Sequence, residues 1–133
     1  MNQQSEAGER RSVLVVDDEY AVRDMLRRAA VAFGYRAKVA ADGHEALACL
    51  ARQDYDVVIC DLVMPNMNGD ELFRICQQEH PEVTSRFVFI SGCGVLPAGS
   101  LAARGGQPFL AKPCRMAELW SVIDRIAPPV AAA

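Results

Sequence analysis

Long apolar runs are missing from this 133-residue chain. No stretch approaches the roughly 18 residues that a membrane-spanning helix requires, so no membrane insertion is expected. Closely spaced cysteines are missing too. Cys49, Cys60, Cys76, Cys93 and Cys114 are separated by 11, 16, 17 and 21 positions, which leaves neither a zinc knuckle nor a redox CxxC pair. The only histidines, His44 and His80, have no metal-ligand spacing and read as surface or packing residues. Basic clusters stop at the pairs Arg10-Arg11 and Arg27-Arg28. With an isoelectric point near 5.3, the chain has no footprint for neutralising nucleic-acid phosphates, so direct nucleic-acid binding is not expected. Residues 1–12 lack the apolar core of an export signal, which leads us to expect a reduced, cytoplasmic protein with free thiols. Lysine is nearly absent: Lys38 and Lys112 stand against twelve arginines.

What is present describes a globular domain. A hydrophobic content of 51%, with 23% charged residues and a net charge of -3, is too apolar for a disordered chain. The length suits one packed core, because two domains would each be marginal in size. Residues 13–16 (VLVV), 57–60 (VVIC) and 87–90 (FVFI) are nearly continuous apolar runs rich in Val, Ile and Phe. Such runs fit strands buried on both faces, as in a parallel sheet covered by helices. Residues 37–40 and 108–111 are weaker candidates.

Helical patterns fall between these runs. Val22, Met25, Leu26, Ala29, Ala30 and Phe33 recur at helical spacing, and Gly34 is placed to end that helix. Asp42 caps a second helix that turns Ala46, Leu47 and Leu50 inward. A third is expected over 70–79, stopped by Pro81, and a last one over 116–126 that packs Leu119, Trp120, Val122 and Ile123. Only 98–104 is available for a helix between the fourth and fifth strands, and Gly99 weakens it by about 1 kcal/mol. Strand and helix thus alternate five times, which predicts an α/β sandwich with right-handed crossovers.

In an open parallel sheet, ligands bind beyond the carboxyl ends of the strands. The residues there are Asp17-Asp18-Glu19, Asp61, Ser91 and Lys112. Carboxylates gathered in one crevice repel one another unless a cation offsets them. A hard divalent ion such as Mg²⁺, which takes one or two carboxylates together with phosphate oxygens, is the simplest offset.

Taken in order and spacing, VLVVDDE at 13–19, VVICDLVMPNMNG at 57–69, Ser91-Gly92 and FLAKP at 109–113 resemble the receiver domain of two-component response regulators, over roughly residues 12–127. The resemblance implies a three-layer, doubly wound (βα)5 flavodoxin-like sandwich whose parallel five-stranded sheet has the order 2-1-3-4-5. A flexible leader at 1–11 would precede it, and a frayed tail or linker would follow at 128–133. Asp61 matches the phosphoacceptor, whose carboxylate attacks phosphorus in line to give an acyl phosphate. Asp18, Asp61 and the backbone carbonyl of Val63 match the ligands of Mg²⁺ (or Mn²⁺), with Asp17 reaching it through water. Lys112 matches the lysine that pairs with a phosphoryl oxygen, Ser91 the hydroxyl that bonds the new group, and Phe109 the aromatic switch. The implied phosphodonor is a sensor histidine kinase or a histidine phosphotransfer protein. Output passes to an unidentified protein partner through the fourth helix, fifth strand and fifth helix of such a domain. The chain is expected to be a monomer or weak dimer that is not an enzyme beyond its own phosphotransfer and slow dephosphorylation.

Each residue also has a plainer reading. Asp17-Asp18 alone describe a solvated turn, Asp61 alone a loop cap, Ser91-Gly92 an ordinary turn pair, and Phe109 core filler. Two methionines in MPNMNG are unexplained by a plain linker. Three departures from the family pattern stand out. Cys114 takes a position usually aromatic or large and apolar, glycines erode the fourth helix, and Val63, with Cys93 opposite, cannot orient a water over the phosphate. Slow autodephosphorylation is therefore expected. The competing readings are a degenerate receiver that binds partners without phosphorylation and a small phosphohydrolase with an Asp nucleophile. A flavin-binding module is disfavoured because the loop after the first strand is acidic. Charge is divided along the chain: residues 1–85 hold 15 acids against 9 bases, and residues 86–133 hold 2 against 5.

Overall fold

The computed structural model describes residues 11–92, 107–112 and 115–127. Strands and helices alternate in the order β1 (Ser12–Val16), α1 (Tyr20–Ala32), β2 (Arg36–Ala40), α2 (Gly43–Arg52), β3 (Val57–Asp61), α3 (Gly69–Glu79), β4 (Phe87–Ser91), β5 (Phe109–Ala111) and α4 (Met116–Ile126). A 3-10 segment at Pro81–Arg86 leads from α3 into β4. Each strand lies within one residue of its expected position. All pairings are parallel and the sheet order is β2-β1-β3-β4-β5, the flavodoxin-like order the resemblance implied. The expected helix at 98–104, Cys93, Cys114, residues 1–10 of the leader and the tail at 128–133 lie outside the described residues.

The sheet is buried on both sides because its strands alternate between two cores. Leu14, Val16, Val58, Cys60, Phe87 and Phe89 face α2 and α3, where they meet Ala46, Leu50, Leu72, Phe73 and Cys76. Val13, Val15, Val57, Ile59, Val88 and Ile90 face α1 and α4, meeting Leu26, Ala30, Leu119, Trp120 and Ile123. A strand's side-chain period of two thus turns each continuous apolar run into two half-cores. Two positions on α1 depart from the expected inward stripe: Met25 is 48% and Phe33 52% exposed. The helix buries only its narrow Leu26–Ala30 seam, and Phe33 lies past the helix end, where it stacks on Trp120 at 5.2 Å between ring centroids.

The helix ends follow local chemistry. Asp42 accepts from the Glu45 amide at 2.9 Å, as its capping pattern predicts. Asn68 and Glu71 close a reciprocal capping box on α3. Gly34, at φ +94°, ends α1 in a Schellman arrangement, with Gly34 N donating to Val31 and Tyr35 N to Ala30.

The loop from β3 to α3 is tied down closely. Met64 and Met67, whose presence in a loop was unexplained, are buried in the α2–α3 core. Met67 packs so tightly on Gly43 that a Cβ there would lie 2.5 Å from its sulfur. Gly69 N donates to the Leu62 carbonyl at 2.9 Å. A Cβ at Gly69 would fall 2.6 Å from the main-chain oxygen of Asp61, a contact that only backbone movement relieves. Gly69→Ala is therefore expected to lower stability by about 2 kcal/mol, despite alanine's higher helix propensity, as read from the urea unfolding midpoint. A neutral or stabilising result would show that this loop is free to move.

Candidate functional site

The carboxyl ends of the strands converge on one crevice. Asp17 follows β1, Asp61 ends β3, Ser91 ends β4 and Lys112 follows β5. The register pairs Val16 with Cys60, Asp61 with Ile90 and Ser91 with Ala111, so these ends are level across the sheet. The Lys112 amide donates to the Ser91 carbonyl at 2.8 Å, extending the β4–β5 ladder by one residue and aiming the lysine along the strand ends.

Lys112 Nζ donates to Asp17 Oδ2 at 3.0 Å and to Asp61 Oδ2 at 3.0 Å, with Glu19 Oε1 3.7 Å away. Asp17 is wholly buried. Its other carboxylate oxygen accepts from the Glu19 amide at 2.9 Å, and its carbonyl accepts from Arg23 Nη1 at 2.9 Å. Asp61 is 4% exposed, and its Oδ1 accepts from the Val63 amide at 3.2 Å. Asp18 is exposed and completes the acidic set: one ligand oxygen from each of Asp17, Asp18 and Asp61 lies within 4.8 Å of the others. Asp18, Glu19, Asp61, Val63, Gly92 and Lys112 border a cavity of about 260 Å³, with Asp17 held beneath by its bond to Lys112.

Electrostatics in this cluster run in opposite directions. Burial pushes the Asp61 carboxyl up and the neighbouring Asp17 charge adds to this, while the Lys112 hydrogen bond and the Val63 amide pull it down; burial prevails. For Lys112, burial alone would favour the neutral amine, but the two aspartates overcome it and hold the ammonium charged above its usual range. One cation among three carboxylates leaves the site net negative. Hard oxygen donors at this spacing fit a small divalent cation.

The structure brings Asp17, Asp18, Asp61, Val63 and Lys112 together at one crevice. Ser91 is buried at the end of β4, and Phe109 is half-buried on β5 against the α2–α3 core. Two neighbours carried no expected role. Arg23 braces the turn that carries Asp17 and Asp18, one helical turn into α1 and 5.7 Å over the Tyr20 ring. Glu19, visible as the third acid of DDE, reaches Lys112. The spacing did not mark Arg23 and marked Glu19 only as a strand-end acid, because both contacts depend on how α1 leaves the sheet.

Residues 13–124 match the family model described as the response regulator receiver domain. Over 118 residues the chain is 36% identical to the sensor kinase CckA of Brucella abortus, covering 86% of this chain and 12% of that protein. It is 31% identical to the DNA-binding transcriptional regulator NtrC of Salmonella typhimurium, covering 85% and 24%. A shorter match to the response regulator MprA of Mycolicibacterium vanbaalenii, 45% identical, covers 47% and 27%. The chain thus spans well under a third of the length of these curated relatives. Among solved structures, the chemotaxis protein CheY4 of Vibrio cholerae superposes with a TM-score of 0.74 at 28% identity, covering 87% of this chain and 98% of that one. A receiver domain protein from Clostridium thermocellum gives 0.78 at 25% identity, covering 87% and 93%.

The balance of charge predicts a pH signature. With its folded pKa raised, Asp61 costs no stability below the unfolded carboxylate range and a growing amount as pH rises through the folded value. Asp61→Asn is therefore expected to raise Tm at pH 7 by roughly 3 °C, with the gain vanishing near about pH 3. Millimolar Mg²⁺ should raise the wild-type Tm and affect the variant less. A variant that melts lower at pH 7 would show that the carboxylate contributes net stability.

Proposed function

The chain belongs to the response regulator receiver domain family, and on that basis we propose that Asp61 is the phosphoacceptor of a two-component signalling step. The observation that carries this reading is the shared lysine, with the Lys112 ammonium 3.0 Å from both Asp17 and Asp61. Among the described residues the Val63 amide is the hydrogen-bond partner of Asp61 Oδ1, and Asp61 borders the cavity. Its oxygen forms the bond to phosphorus as the donor's bond to phosphorus breaks in line, the electron pair leaving with the departing group. Lys112 transfers one N–H from Asp61 to a phosphoryl oxygen while Asp17 still anchors it. A hard divalent cation, Mg²⁺ or Mn²⁺, would be held by Asp18, Asp61 and the Val63 carbonyl, with Asp17 through water, and supplies neutralisation of charge on the phosphoryl oxygens.

Ser91 is the hydroxyl that bonds the phosphoryl group, and Phe109 the aromatic that follows it. Phosphorylation adds about -1.5 to -2 charge to the strand ends, and β5 and α4 report it to a protein partner. We take 12–127 as the receiver unit, with a sensor histidine kinase or histidine phosphotransfer protein as donor. A cytoplasmic setting is part of this proposal. No described helix is long and apolar enough to cross a membrane. Receiver domains are signalling modules, and the chemistry here is phosphotransfer to the chain itself. A phosphohydrolase with its nucleophile after β1 is disfavoured because Asp17 is fully buried, with both carboxylate oxygens engaged. A degenerate receiver is disfavoured because the acidic triad and the lysine are all in place.

Incubation with phosphoramidate and Mg²⁺ is expected to add one phosphoryl group by intact mass, labile to hydroxylamine and absent in Asp61→Asn. No adduct would leave the phosphorylation-independent binding module, and steady hydrolysis of phosphate esters would favour the phosphohydrolase.

Val63 is 61% exposed at the cavity rim and has no group to orient a water. The acyl phosphate is therefore expected to be long-lived, and Val63→Asn or Val63→Glu should shorten its half-life several-fold. An unchanged half-life in both variants would remove Val63 from control of hydrolysis.

A further inference from the structure

Glu19 occupies the N-cap of α1, a position where Ser, Thr, Asp or Asn satisfies the first helical amides, yet its side chain makes no capping bond. It reaches instead across the mouth of the cavity to within 3.7 Å of Lys112 Nζ, with 64% of the side chain exposed. The helix start is stabilised by other means: Asp17 Oδ1 accepts the Glu19 amide, and Glu19 O accepts the Arg23 amide at 3.0 Å. The carboxylate is thus dispensable to the local fold and sits on the path into the site. It borders both the acidic cavity and an adjoining apolar groove of about 540 Å³ between α1 and α4.

Its charge sets the sign of the site. Lys112 and a bound divalent cation would together balance Asp17, Asp18 and Asp61, and Glu19 is the acid left over. We propose that Glu19 is a specificity-determining residue for phosphoryl entry, a fixed negative charge at the cavity mouth that selects against small dianionic acyl phosphates relative to donors whose leaving nitrogen is protonated. This rests on the reading of Asp61 as phosphoacceptor. With an acyl phosphate, an Asp61 oxygen bonds to phosphorus as the P–O bond breaks, and the carboxylate leaves with the electron pair. With phosphoramidate the P–N bond breaks, and ammonia leaves carrying the proton already on nitrogen. The first donor approaches Glu19 with two negative charges and the second with a net of one, so the repulsion differs between them.

The test compares wild type, Glu19→Gln and Glu19→Asp for the rate of adduct formation with acetyl phosphate and with phosphoramidate, at low and at high salt. Mn²⁺ affinity is measured on the same proteins by electron paramagnetic resonance. At low salt, Glu19→Gln is expected to speed acetyl phosphate by about fivefold and phosphoramidate by less than about twofold, and to weaken Mn²⁺ binding by about threefold. These differences should shrink at roughly 0.5 M salt, where screening lengths fall to a few ångströms. Glu19→Asp, which keeps the charge, is expected to retain most of the wild-type discrimination. Equal changes for the two donors, or unchanged rates and Mn²⁺ affinity, would overturn the role of Glu19 while leaving Asp61 as acceptor. Absence of any adduct on the wild type would overturn the phosphoacceptor reading and this inference with it.

Discussion

One ammonium group holds the carboxyl end of the sheet together. Lys112 leaves β5 and crosses to Asp17 after β1 and Asp61 at the end of β3, touching both at 3.0 Å. Without it, the like charges of a wholly buried Asp17 and a nearly buried Asp61 would face each other in a poorly solvated crevice. Removing the cation would leave two buried carboxylates uncompensated, which costs far more than the intact cluster contributes. The lysine therefore permits the acids to be there at all, and a compact ammonium with rotatable donors can serve two carboxylates where a guanidinium fork would match one.

That arrangement needs a rigid frame, and the two cores supply it. Alternate residues of β1, β3 and β4 are locked into opposite helical layers, so no strand can slip by one residue without exchanging its faces. The loop after β3 is pinned from both ends. Met64 and Met67 insert into the α2–α3 core, and Gly69 brings the start of α3 against the Asp61 carbonyl. The Asp61 main chain is thus held between β3 and the start of α3 while the residue borders the cavity. The exposed acids Asp18 and Glu19 face the same cavity from the turn after β1, which Arg23 braces. Buried acid, shared lysine and exposed rim form one electrostatic unit, in which Lys112 is the cation in direct contact with Asp61.

Much of this was legible beforehand, for reasons that differ by element. The apolar runs at 13–16, 57–60 and 87–90 read directly as strands because a strand buried on both faces leaves no polar positions. The caps at Asp42 and Gly34 were legible because they are local, depending on hydrogen bonds within one turn. The inward face of α1 was overread at Met25 and Phe33, since helical spacing defines a stripe but not how wide a strip the neighbouring layer covers. The 3-10 segment at Pro81–Arg86 followed a proline that was legible only as a stop.

By itself, the sequence determined the strands and helices, the family, and which acids and which lysine stand at the strand ends. Those follow from periodicity and motif, which short-range geometry enforces. Only the tertiary structure decided how the charges are shared: that Lys112 bonds Asp17 and Asp61 together, that Asp17 is wholly buried while Asp18 is not, and that Glu19 gives up its helix cap to reach the cavity mouth. These contacts join residues up to 95 positions apart. Their distances are set by the packing of two helical layers on one sheet, which no local pattern encodes.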